Sequence, residues 1–249
     1  MKDPLPDLEE SAPPSPKNAG SSREQSKQKR RQQIIAAAER LILKSKSTDF
    51  SMVGLANEAG TSMKTTYNLI GSKSKVLYIL LSGALDKLDT RALGLVDKTD
   101  VNSIVYMAEA PIGLFTGLPD FYRPLLRYLL GTPNSTERPI FMARAYRFWL
   151  RGLSHFDEVA PGKLNVQVMA LHLHTYFAGA LDLWVQDEID AEEFRRHLRC
   201  AAAIALMPHV EKDQYPRLQA HLDLFQSSAE SYGAAVADII VSTEELMSG

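Results

Sequence analysis

The sequence predicts an all-α protein, with a small three-helix unit near the N-terminus followed by a larger helical region. Three observations predict it. Apolar residues recur at helical spacing from the first ordered segment onward, as in Ile34, Ile35, Ala38, Leu41 and Ile42. No segment carries the alternating pattern of a strand. Prolines at 111, 119, 124, 133, 139, 161, 208 and 216 punctuate the second half, mostly where a helix starts or a linker runs.

Residues 1–26 are dominated by proline, serine and charge, and nothing there can bury enough surface to offset chain entropy. They read as a disordered tail. From Lys27 a first helix begins. Lys27, Lys29, Arg30 and Arg31 crowd its start, where the helix dipole favours anions. A nearby phosphate backbone would account for that placement. KSKSTDF ends this helix, and Phe50 plugs the core beneath it.

The stretch Ser51–Lys73, SMVGLANEAGTSMKTTYNLIGSK, reads as two short helices joined at a tight glycine. Ser51 can cap the free N–H groups of the first. Gly60 closes it, because glycine takes the left-handed backbone without steric cost. Thr61 or Ser62 caps the second, and Gly71 and Ser72 end it. This is the sequence form of a helix-turn-helix, whose second helix enters the DNA major groove. A long connector helix follows, about 73–93, with Val76, Leu77, Leu80, Leu81, Ala84, Leu85 and Leu88 on its apolar face. Further helices are predicted near 101–117, 119–131, 136–156, 163–187, 190–207 and 215–246. Gly131-Thr132-Pro133-Asn134 and Pro161-Gly162 are turns, and Pro111 and Pro124 are candidate kinks.

The chain has 249 residues, 45% of them hydrophobic, enough for one large domain or a small one joined to a larger one. No apolar run approaches the ~18–20 residues of a membrane span. No signal peptide is visible, and the one cysteine, Cys200, rules out an internal disulfide framework. Both features fit a cytoplasmic protein. The net charge of −2 hides an asymmetry: residues 23–80 hold 11 basic and 4 acidic groups, a net of +7. A basic segment on an otherwise acidic protein points to a polyanion partner for that segment. H-E-x-x-H, G-x-S-x-G, P-loop and C-x-x-C patterns are missing, which argues against an all-α enzyme. His172 and His174 stand two apart on a helix and face different sides, which does not suit a shared metal. No metal or cofactor is expected.

Ile34-Ile35-x-Ala37-Ala38-x-x-Leu41-Ile42, Ser51, Leu55-Ala56, Ala59-Gly60, Ser62, Thr65, Tyr67 and Ser72-Lys73 follow one spaced order. In that order and spacing the chain resembles the DNA-binding domain of the tetracycline-repressor (TetR) family, over about residues 27–90. The resemblance implies a three-helix helix-turn-helix DNA-binding domain at 27–90, with the connector, then a larger helical ligand-binding and dimerisation domain at 91–249. The family usually has Val at Thr61, Leu at Thr66 and His-Phe at Leu69-Ile70. At Thr66 the smaller, polar side chain costs about 1–3 kcal/mol if its hydroxyl goes unpaired.

The resemblance further implies a homodimer on a pseudo-palindromic double-stranded DNA operator, released by a small-molecule effector. Met63, Lys64 and Thr65 then face base edges, with Lys64 able to donate to guanine O6 or N7 and Thr65 able to touch a thymine methyl. Tyr67, Asn68, Lys73 and Ser51 join them at the DNA, with Ser51, Tyr67 and Lys73 on phosphates and Arg30 and Arg31 reaching from the first helix. The effector pocket is expected among Phe115, Phe121, Tyr122, Phe141, Tyr146, Trp149, His172 and Tyr176. The dimer interface is expected at Ala178, Leu181, Trp184, Val185, Leu198 and Ala202, as a four-helix bundle between subunits. Arg144, Arg147 and Arg151 share one helix face and read as a solvated stripe or, if that face turns inward, as a site for an anionic ligand. The competing reading is a helical ligand-sensing or interaction module of the same fold that has lost DNA binding, with Thr66 and Leu69-Ile70 as its motive.

Overall fold

The computed structural model describes residues 17–92, 101–159 and 165–248, and every regular element among them is helical. The first helix, α1, spans Lys17–Ser45, so it begins ten residues before the expected start. The last proline of the tail is Pro16. Beyond it Arg23, Glu24, Gln25 and Lys27 are good helix formers, and Lys27 pairs with Glu24 one turn earlier at 3.5 Å. Residues 17–26 of the expected tail are therefore helical, and 1–16 lie outside the described residues.

Three helices follow closely: α2 (Met52–Glu58), α3 (Met63–Leu69) and α4 (Lys73–Ala92). The second half holds α5 (Asn102–Thr116), α6 (Pro119–Gly131), α7 (Glu137–Val159), α8 (Val166–Val185) and α9 (Ala191–Leu206). Two 3-10 turns, Met207–His209 and Lys212–Gln214, lead to α10 (Tyr215–Ser248). The helix ends read from the sequence for α5 to α10 lie within three residues of these. Pro111 and Pro124 split neither α5 nor α6. The Pro161-Gly162 turn lies outside the described residues.

In α1, Ile34, Ala37, Ala38 and Ile42 form a buried stripe against α2, α3 and α4. α4 then runs on to pack against α5 and α7. Its buried face is the expected one, with Tyr78 added. The apolar core is continuous from Ile34 to Leu218, across the boundary expected near residue 90. α6 also touches α1, where Lys46 pairs with Asp120 at 2.8 Å. The turn after α8 is tied to α6: Arg123 and Arg127 both bind Asp187, Arg127 donates to the Val185 carbonyl at 2.8 Å, and Arg123 covers the Trp184 ring. α9 opens on a capping box, with Asp190 accepting from Glu193 N at 2.8 Å and Glu193 accepting from Asp190 N at 3.0 Å.

α10 packs on α9 through a polar seam. His221 of α10 pairs with Asn102 of α5 at 3.2 Å, and its ring stands edge-on to Tyr106. His197 of α9 pairs with Tyr176 at 3.0 Å and packs against Phe225 of α10. Arg199 and Glu109 form a bidentate pair beside them. Burial pushes the pKa of both histidines down; Arg199 adds to this at His221, while Glu109 opposes it there and Glu193 opposes it at His197. The folded chain thus favours neutral rings, whereas the unfolded chain takes up protons below about pH 6.5. This stabilisation is complete above that pH and is lost as pH falls from it towards the lower folded-state values. Thermal melts are expected to give a lower Tm at pH 5 than at pH 7.5, with part of the difference removed by His221→Gln. Equal Tm values at the two pH values would show that the seam does not titrate.

Candidate nucleic-acid interface and internal cavity

The stretch 51–73 folds as its local chemistry dictates. Ser51 has extended backbone and its side chain accepts from Gly54 N at 3.0 Å, which caps α2. Gly60 takes φ +63°, the left-handed turn that ends that helix. Ser62, not Thr61, caps α3: its Oγ accepts from Thr65 N at 3.1 Å and lies 2.9 Å from Thr65 Oγ1. Gly71 takes φ +99°, and Ser72 Oγ accepts from Lys75 N at 3.3 Å at the start of α4.

α3 has a clear inside and outside. Thr66 is fully buried, and Ile70, just past the helix end, is buried one turn later. The Thr66 hydroxyl donates to the Ser62 carbonyl at 3.1 Å, so the unpaired-hydroxyl cost does not arise. Met63, Lys64, Tyr67 and Asn68 are exposed together on the opposite face, and Thr65 is half-exposed beside them. Ser51 is exposed and Lys73 is half-exposed, with its ammonium 5.2 Å from the Phe50 ring centroid. On α1, Arg30 is exposed and Arg31 half-exposed. Among the described residues Lys29, Arg30, Arg31, Lys44 and Lys64 have no ion pair, whereas Arg40 is held by Glu58 at 2.8 Å. The expected DNA-contacting residues are therefore all exposed or half-exposed, on α3, at the starts of α2 and α4, and on α1.

The larger half encloses an apolar cavity of about 70 Å³ between α4, α5, α6, α7 and α8. Phe115, Phe141 and Trp149 line it as expected, and so does Ala178, expected at the dimer interface. The other five expected pocket residues are placed elsewhere. Phe121 and Tyr122 pack edge-to-face in the core, with Tyr122 against Phe115. Tyr146 donates to the Gln167 carbonyl, and Tyr176 pairs with His197. His172 faces a separate shallow groove with Val168, Ile204 and His209. His174 is the histidine in the wall. Its Nδ1 is buried with no hydrogen-bond partner among the described residues, and burial pushes its pKa down, so it is neutral at pH 7.

Arg138 also lines the cavity, and the sequence reading missed it. The signal was present. Residues 138, 141, 142, 145, 148 and 149 fall on one helical face of α7, and Arg138 heads that stripe. The same logic applies to His174, which shares a face of α8 with Phe177, Ala178 and Leu181. Arg144 and Arg151 of the other α7 stripe pair with Asp86 and Asp89 of α4, while Arg147 is exposed.

The expected dimer residues require correction. Leu181, Trp184, Val185, Leu198 and Ala202 are all buried within the single chain, so they have no surface left for a partner. Trp184 stacks on Phe194 of α9. The outward side of α8 instead carries Val168, Leu171, His172, Thr175 and Gly179, with Ile204 of α9 also exposed. Amphipathicity misleads here because α8 is apolar on both faces.

No helix among the described residues is long and apolar enough to cross a membrane, and no group of three or more His, Cys, Asp or Glu among them could hold a metal ion. No protein-family model matches the chain, and no curated protein matches it.

Proposed function

We propose that this chain is a DNA-binding regulator of transcription resembling the TetR family, a repressor whose hold on DNA is relieved by a small molecule in the cavity. The observation that carries the reading is the open face of α3. Met63, Lys64, Tyr67 and Asn68 are exposed on it, in the most basic part of the chain, and serines cap the exposed starts of α2 and α4. Recognition helices read bases from such a face while flanking helix starts hold phosphates. The paired Thr66 hydroxyl removes one of the two motives for the competing reading, in which DNA binding is lost; the other, Leu69-Ile70, stands.

A homodimer presents two such faces, about 34–36 Å apart for adjacent major grooves. Val168 and Leu171 of α8 and Ile204 of α9, each more than half exposed, offer the apolar surface for it. α4 joins the two ends of the device. Lys73 stands at its start, and Leu85 and Leu88 lie in the cavity wall. The cavity is smaller than the ~300–1,000 Å³ of pockets that enclose drug-sized ligands. An effector of that size must spread the wall helices, α4 among them, and so binds the displaced state better. The surface pairs between α4 and α7, such as Lys75–Glu137 at 3.0 Å, are worth only about 0–1 kcal/mol each and do not lock the register.

The test is retention of genomic DNA fragments by the purified protein at low salt. Selected sites should be pseudo-palindromic. Lys64→Ala is expected to change the preferred base at one position per half-site, by about 1–3 kcal/mol. Absence of retention for every fragment overturns the reading.

A further inference from the structure

The cavity wall contains a charged donor, Arg138, with no carboxylate to match it, and a second donor, Tyr78, packs behind the wall residue Phe141. Arg138 sits in the first turn of α7, where helix N–H groups already make the potential positive. Its guanidinium donates from Nη1 to the Leu129 carbonyl, and among the described residues it has no ion pair. The carboxylate next to it in sequence, Glu137, is taken by Lys75. Tyr78 of α4 is the second donor. Its ring packs edge-on to Phe141 of the wall, and its hydroxyl is buried without a hydrogen bond of normal geometry. That hydroxyl lies close enough to Arg138 to feel its charge, although burial dominates and pushes its pKa up. It therefore stays protonated and can only gain by donating.

Apart from His174, whose Nδ1 is buried without a partner, the rest of the wall is apolar. Leu88, Phe115, Leu126, Phe141, Trp149 and Phe177 bring no acceptor to Arg138. Leu130 and Arg138 also border a surface groove formed by residues 130–135, so the charged end of the cavity is the end nearest solvent. A guanidinium keeps its charge at any ordinary pH and matches a carboxylate with two parallel donors.

We propose that the effector is an apolar molecule bearing one carboxylate, its body in the cavity and its carboxylate held by Arg138 and Tyr78. Arg138 belongs to α7 and Tyr78 to α4, so such a ligand bridges the helices whose relative position the effector must change. This inference rests on the proposed effector role of the cavity.

The experiment uses octanoate, methyl octanoate and octan-1-ol with the full-length protein and no DNA. Binding is followed by calorimetry and by Trp149 fluorescence, with Trp149→Phe to assign the signal. Octanoate is expected to bind roughly 10–100-fold more tightly than the ester or the alcohol, the range of a charge-assisted pair. Arg138→Gln should bring the three within about threefold of one another, and Tyr78→Phe should narrow the gap by about tenfold or less. An ester that binds as tightly as the acid overturns the carboxylate assignment, and this comparison needs no variant, so it holds even if Arg138→Gln fails to fold. No binding by any of the three overturns cavity occupancy, whereas DNA retention by the same preparation separately decides the regulator reading.

Discussion

Trp149→Ala is expected to destabilise the fold by about 3–5 kcal/mol, the range for deleting a large buried aromatic. For a chain of this length that is a fall of roughly 6–20 °C in Tm. Trp149 is 2% exposed and stands where three helices meet. Its ring packs against Phe148 at 5.2 Å and against Phe177 of α8 at 5.6 Å, and Phe177 in turn meets Phe115 of α5 and Phe194 of α9. The Trp149 side chain also closes one side of the cavity, so its loss joins new empty space to space already there. Partial collapse is the usual relief for a cavity. Here the neighbours already border a void, so little collapse can follow. Tyr67→Phe is the matched control: Tyr67 is 48% exposed, and its change should stay within about 0.5 kcal/mol. Denaturant melts of the two variants check the pair. A loss below about 1 kcal/mol for Trp149→Ala would mean that the ring is not packed as described.

Residues whose role is set by local chemistry were legible before the structure. The Ser51 cap, the Gly60 turn and the apolar face of α4 each follow from neighbours within a few positions. So do the starts of α6, α8 and α9, which a proline or a polar cap marks. Residues whose role depends on which of two faces turns inward were less legible. His172 and His174 were separable by spacing, but spacing could not say which one faces the cavity. Trp184 and Val185 read as interface because the small residues before them, Ala178 to Ala180, would let a partner helix approach closely; α6 and α9 cover them instead. Leu171, at the start of the same segment, is 58% exposed. Thr66 was the opposite case. A polar residue at a core position read as a weakness, and a bond to the carbonyl one turn back satisfies it.

The affinity of the proposed dimer for its site should fall steeply with salt. Lys73, Arg30 and Arg31 are the expected phosphate-neutralising cations, three per protomer and six per dimer. Each neutralised phosphate contributes a log–log slope of about −0.9, so a slope of about −5 is expected, or roughly a thousandfold loss between 50 and 200 mM salt. Hydroxyls such as those of Ser51 and Tyr67 hold phosphates without releasing counterions, and they leave this slope unchanged. Lys73→Ala removes two charges per dimer. It should make the slope shallower by about 2 and weaken all duplexes alike, because a phosphate contact carries no sequence information. Leu171→Asp places a charge in the proposed apolar interface, where an unpaired buried carboxylate is costly. The monomer it leaves keeps three contacts, so the slope should fall to about −3 while the fold is retained, since Leu171 is exposed in the single chain. Light scattering and fluorescence anisotropy over a salt series read both quantities on one sample. A Leu171→Asp protein that remains dimeric with an unchanged slope places the interface elsewhere. A wild-type slope near zero removes the phosphate grip on which the DNA-binding proposal depends.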